Sequence, residues 1–186
     1  MAYSDELKKT LIARLGKEKV VFQSKWAKQT AWPWAKKKPL AILLHHSAGV
    51  GPGVISYINN GTGVPAANFS LDRDGKVYCH TAYPCYHAGV GSFKGKTPWD
   101  TLGVPDDQAN KYLLGVEVID NGQGKTFTEA QKKSLALLIA AVADAMPPAD
   151  ARWLKVRPQH KDWTGRKVDL RYSNTEVKAW IEKWVK

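Results

Sequence analysis

The sequence predicts an α/β domain with a mixed central β-sheet flanked by α-helices, and three observations carry that expectation. Two apolar runs, residues 40–44 and 112–119, are too short for helices and read as strands buried on both faces. Between them, two short runs flank an Asp74-Gly75 turn in the pattern of a β-hairpin, which places an antiparallel pair in the same sheet. Helical periodicity appears before and after these strands, and strands combined with helices in this way fold as a sheet covered by helices.

Taken in order, Ser4 is placed to cap a helix whose Leu7, Leu11, Ile12 and Leu15 share one face, with Gly16 to end it. Residues 24–39, SKWAKQTAWPWAKKKP, lose that period. Pro33 forbids a continuous helix, and Trp26, Trp32 and Trp34 alternate with lysines, as in an irregular surface segment. The strand at 40–44 then delivers His45 and His46 to its C-terminal end. Residues 68–71 and 76–80 form the two arms of the hairpin, and 112–119 is a strand with one acid, Glu117, in its middle. Thr128 with Gln131 makes a capping box for a helix through Leu135, Leu138, Ile139, Val142 and Met146, stopped by Pro147-Pro148. Ser173 with Glu176 makes another, followed by Val177, Trp180, Ile181, Trp184 and Val185 at helical spacing. No repeat or linker interrupts the pattern. The chain reads as one domain over 1–186, a leading portion 1–39 and a core 40–186.

Composition narrows the classes. With 44% hydrophobic and 24% charged residues the chain is neither disordered nor low in complexity. The longest mostly apolar stretch, 135–146, is broken by Asp144 and falls short of the ~18 residues of a membrane span. Asp5, Glu6, Lys8 and Lys9 precede any apolar run, so no export signal is read and cytoplasmic synthesis is expected. Lys and Arg number 28 against 17 Asp and Glu, a net charge of +11 that draws the protein to polyanions: nucleic acid, anionic lipid or bacterial wall. The charge is scattered over the chain rather than gathered on one module, which argues against specific nucleic-acid recognition. Two cysteines, Cys79 and Cys85, are too few for a disulfide-stapled fold, and their spacing is not that of a zinc ribbon; whether they pair is left open.

Chemistry concentrates at three places. His45 and His46 leave a buried strand at the edge where α/β folds place their sites, and read either as structural histidines or as metal ligands. His160 lies in RPQHKDWTGRKVDLR with Asp162, Arg166, Lys167 and Asp169, which is either a solvated basic loop or a ligand-bearing one. Two histidines and one carboxylate leave zinc a fourth position for water, the arrangement of catalytic sites. Glu117 is expensive to bury alone, so it has either an ion-pair partner or a role as a general base.

The motifs Leu44-His45-His46-Ser47-Ala48-Gly49, Asn68-Phe69, Asp74-Gly75-Lys76-Val77-Tyr78, His87-Ala88-Gly89, Gly115-Val116-Glu117-Val118, Phe127-Thr128-Glu129-Ala130-Gln131 and His160-x-Asp162-x-x-Gly165-Arg166-Lys167-x-Asp169 occur in one order. In that order the chain resembles the zinc-dependent N-acetylmuramoyl-L-alanine amidases of the type-2 amidase and peptidoglycan-recognition superfamily. The resemblance runs from about residue 40 to 169. It implies that one zinc ion is held by His45, His160 and Asp169, that Glu117 and Lys167 assist catalysis, and that Asn68 and His87 line the substrate groove. Leu170 stands where many relatives have proline, and Asp162 is an alternative third ligand. The implied substrate is bacterial peptidoglycan, cut between N-acetylmuramic acid and L-alanine by a monomer, most simply as a phage endolysin acting at the cell wall. A cytoplasmic muropeptide-recycling amidase and a non-cutting peptidoglycan receptor are the alternatives. In the lytic reading the basic segment with Lys36, Lys37, Lys38, Trp26, Trp32 and Trp34 is expected to hold the wall, with no separate wall-binding domain.

Overall fold

The computed structural model of the chain describes residues 2–32, 39–61, 63–146 and 157–185. Five strands form one sheet: β1 (Val20–Phe22), β2 (Ala41–His46), β3 (Phe69–Leu71), β4 (Val77–Cys79) and β5 (Leu113–Val118), in the order β1-β4-β3-β5-β2. Only β3 and β4, the arms of the hairpin, run antiparallel; β1 with β4, β3 with β5 and β5 with β2 are parallel. The sheet is therefore mixed, as the sequence predicts. Gly75 makes the hairpin turn at φ 82°, where a side chain would also strike the Ala130 carbonyl 2.9 Å away.

Among the described residues six α-helices surround it: α1 (Tyr3–Leu15), α2 (Pro52–Asn60), α3 (Ala109–Tyr112), α4 (Glu129–Asp144), α5 (His160–Trp163) and α6 (Asn174–Trp184). Helix α1 packs on α4, and α4 on α6 and β3. Both capping boxes form as read, Thr128 with Gln131 and Ser173 with Glu176. Gln131 does more than cap: buried, it donates from Nε2 to the Ile119 carbonyl and so ties α4 to the end of β5. No described helix is long and apolar enough to cross a membrane.

The structure corrects several expectations. Ala2, not Ser4, precedes α1; Ser4 sits in its first turn and is buried. Strand β1 and helix α2 escape the sequence reading, β1 because three residues carry no period and α2 because Gly51, Pro52 and Gly53 look like a loop. Trp26 is not a surface residue: it is 5% exposed and packs against Phe22 and Phe69. Pro33, Trp34, Lys36, Lys37 and Lys38 of the same segment, and Pro147-Pro148 after α4, lie outside the described residues. Cys79 and Cys85 are both buried and unpaired.

Candidate active site

Parallel pairing sets His45 of β2 beside Glu117 of β5 and Glu117 beside Ser70 of β3, so these three side chains leave the same face near the C-terminal ends of the strands. His160 reaches them from across the chain. The segment before it runs along β2, with Leu44 N–H donating to the Pro158 carbonyl at 3.0 Å and Leu44 bridged to Gln159. Asp169 returns to the same place because its carbonyl accepts from Lys161 N–H at 2.9 Å, while Leu170 N–H donates to Gln159 Oε1.

Three ligating atoms converge there. His45 Nδ1 is 2.9 Å from His160 Nδ1, and Asp169 Oδ2 is 3.1 Å from His160 Nδ1 and 3.5 Å from His45 Nδ1. All three residues are buried. His160 Nε2 lies 3.0 Å from the Ala88 carbonyl, which only accepts, so the proton of a neutral ring sits on Nε2 and Nδ1 presents a lone pair. A bare ring nitrogen 3.1 Å from a carboxylate oxygen calls for a shared positive charge. Burial, opposed by the bond from Asp169, pushes His45 down to about 4, so its ring is neutral and able to ligate at neutral pH. Two nitrogens and one carboxylate oxygen fit a zinc-type ion with room for a further ligand.

His160 and Asp169 of the cluster form one wall of a cavity of about 300 Å³ lined also by His46, His87, Glu117, Arg166 and Lys167. Glu117 has no ion pair among the described residues, and its buried Oε2 has no hydrogen-bond partner. That removes the structural salt bridge as its explanation. Burial and then the Asp169 charge raise its carboxyl to about 8, against the pull of Lys167. Lys167 itself is exposed at the rim. His46 lines the cavity with both ring nitrogens unpartnered among the described residues, its ring set over Gly122. Asp162 is occupied elsewhere: its Oδ2 accepts from Gln159 N–H at 2.8 Å at the start of α5.

Asn68 is not at the groove. It is fully buried, donates from Nδ2 to the Thr81 and Tyr83 carbonyls, and accepts at Oδ1 from Gly115 N–H and the Cys85 thiol. The residue ties the hairpin to β5. Asn68→Ala strands three backbone groups and is expected to remove about 2–4 kcal/mol of stability while leaving metal content per folded molecule unchanged; thermal melts with metal analysis on one preparation check this. Behind the site, His80 bridges Ser70 Oγ at 2.8 Å and Asn59 Oδ1 at 3.0 Å, with an amide where the triad of serine hydrolases has a carboxylate. Ser70 and His80 are both 0% exposed, which keeps substrate from this hydroxyl.

The sequence pattern of the N-acetylmuramoyl-L-alanine amidase family, type 2, matches residues 35–171. The chain belongs to that family. The amidase is also similar in fold to solved structures of low sequence identity. One is an AmpD derivative, 17% identical, with a TM-score of 0.66 over 88% of this chain and 94% of that one. Another is the endolysin N-acetylmuramoyl-L-alanine amidase LysCS from Clostridium intestinale, 21% identical, with a TM-score of 0.54 over 88% and 95%. A third is AmpDH3 from Pseudomonas aeruginosa in complex with an anhydromuramic pentapeptide, 15% identical, with a TM-score of 0.59 over 84% of this chain and 64% of that one. A comparison with curated protein sequences gives no match. Arg166, on the cavity wall beside Lys167, has no role assigned from the sequence; its guanidinium donates to the Val90 carbonyl at 2.9 Å, a contact with no sequence signal.

Proposed function

We propose that this amidase is zinc-dependent, with His45, His160 and Asp169 as the ligands, and that it cuts the bond between N-acetylmuramic acid and L-alanine of intact bacterial wall as a lytic enzyme. The observation that carries the metal is the convergence of three acceptor atoms within 3.5 Å of one another. Zinc held there supplies Lewis acidity and lowers the pKa of water from ~15.7 to about 7. Glu117, unpartnered in the same cavity and with its carboxyl raised by burial, accepts the proton of the attacking water. As the lactyl carbonyl gains negative charge, the Lys167 ammonium at the rim stabilises it. Glu117 then returns its proton to the departing amine of L-alanine. His87 lines the cavity where substrate enters.

The lytic role is supported by the +11 charge, suited to an anionic polymer, and by the likeness in fold to an endolysin. Defined peptidoglycan incubated with the zinc-loaded protein is expected to release new amino groups on L-alanine, with muramic acid freed of peptide by mass analysis; cleavage between peptide residues, or between sugars, refutes the assignment. The screening length contracts from ~8 Å at physiological salt to ~3 Å at 1 M. Wall binding and lysis are therefore expected to fall as salt rises, while cleavage of a small soluble muropeptide stays nearly constant. Parallel losses on both substrates would point away from a wall-directed enzyme.

A further inference from the structure

The remote nitrogens of both ligating histidines end on one dipeptide. His87 Nε2 lies 3.1 Å from the Leu113 carbonyl, which accepts only, so a neutral His87 carries its proton on Nε2 and offers Nδ1 as an acceptor. His45 Nε2, 3.2 Å from that Nδ1, then has to be the donor. A neutral His45 with its proton on Nε2 leaves Nδ1 bare, and Nδ1 is the atom that faces His160 and Asp169. The next residue does the same for the second ligand, because the Ala88 carbonyl takes the proton of His160 Nε2. We propose that His87-Ala88 is the positioning layer that selects the ligating nitrogen of both histidines, with His87 acting on the metal through His45.

Two features built elsewhere in the chain serve this dipeptide. Asn110 Oδ1 accepts from His87 N–H at 2.8 Å and Ala88 N–H at 2.7 Å, clamping both residues with one atom. Gly115 leaves the His87 ring its seat: a Cβ on that strand residue would lie 2.4 Å from the ring's Cγ. Outer partners of ligating histidines fix tautomer and ring orientation, and their loss weakens metal binding by roughly 10–100-fold. Here one loop serves two ligands, so a single clamp residue that touches neither controls both.

The inference rests on the metal site proposed above, and the tests separate the two. In the metal-free protein, long-range nitrogen–proton correlation spectra are expected to show Nε2 of both His45 and His160 carrying a proton; a His45 ring with a bare Nε2 overturns the relay, and this measurement needs no variant. Zinc affinity is then read by competition with a chelator. His87→Leu is expected to weaken zinc by roughly 10–100-fold and to mix the tautomers of His45. His87→Asn places an acceptor oxygen where Nδ1 stands and is expected to recover most of the affinity. Asn110→Ala is expected to weaken zinc, and Asn110→Asp, which keeps the accepting oxygen, to restore it. Equal affinity in all variants overturns the relay while leaving the metal site standing. The expected tautomers in a chain that binds no zinc would refute the metal site while upholding the tautomer selection by His87-Ala88.

Discussion

Glu117→Gln is expected to lose about 10²–10⁴-fold in turnover, the usual worth of general acid–base catalysis, while keeping its fold, its zinc and its affinity for peptidoglycan. Glutamine preserves shape but cannot take up the proton of the attacking water. The structure also fixes the sign of the accompanying stability change. A structural ion-pair partner would make the variant melt lower, but Glu117 has no ion pair among the described residues and an unpartnered buried oxygen. In the metal-free protein its pKa is raised to about 8, so the folded chain holds this proton more tightly than the unfolded chain. That contribution to stability is complete below the unfolded carboxylate value and is lost as pH rises through about 8. Metal-free Glu117→Gln is therefore expected to melt at or above the unaltered chain, with the difference widening toward pH 9. An active variant with a lowered melting temperature refutes the catalytic role.

Removal of a ligand is expected to have the second large effect. His45→Ala, His160→Ala and Asp169→Asn should each bring bound zinc well below one per chain and abolish hydrolysis, and chelation should do the same to the unaltered protein. The affinity loss should exceed the roughly 10–100-fold assigned to supporting residues. Because zinc binds the folded chain, a thousandfold excess over its dissociation constant stabilises that chain by about 4 kcal/mol, and this rise in melting temperature should vanish in the ligand variants. Asp162→Asn is the control: its carboxylate caps α5 and is expected to keep zinc. His46→Ala, which removes a ring whose nitrogens have no hydrogen-bond partner among the described residues, is expected to have the milder effect. Stoichiometric zinc in both histidine-to-alanine variants would sink the ligand set.

Much of the site was legible because its carriers are local patterns. A buried apolar run ending in His45, a second with Glu117 inside it, and two capping boxes each declare themselves within about ten residues, and each forms as read. The ordered motifs then named the family and the zinc set, and His160 and Asp169 do meet His45. What local pattern could not reveal was the destination of single atoms. Asn68 occurs in a family motif, yet its amide is spent on Thr81, Tyr83 and Gly115 inside the core, because a buried amide has to find partners wherever the hairpin and β5 leave groups unpaired. Trp26 sits in a lysine-rich stretch but is drawn inside by Phe22 and Phe69. Three-residue β1 is a strand only because β4 offers it a parallel edge.

The sequence by itself determined the two long buried strands, the hairpin, helices α1, α4 and α6, the family and the set of residues able to hold a metal, since periodicity, capping and motif order are properties of neighbours along the chain. The tertiary structure decided which nitrogen of each histidine faces the other two candidate ligands, that Glu117 stands without an ion-pair partner among the described residues, and that Asp162 caps while Asp169 converges. Those outcomes depend on the direction of hydrogen bonds and on desolvation among groups such as His45, Leu113 and His160, far apart in sequence, and only the folded sheet brings them within 3–4 Å of a shared partner.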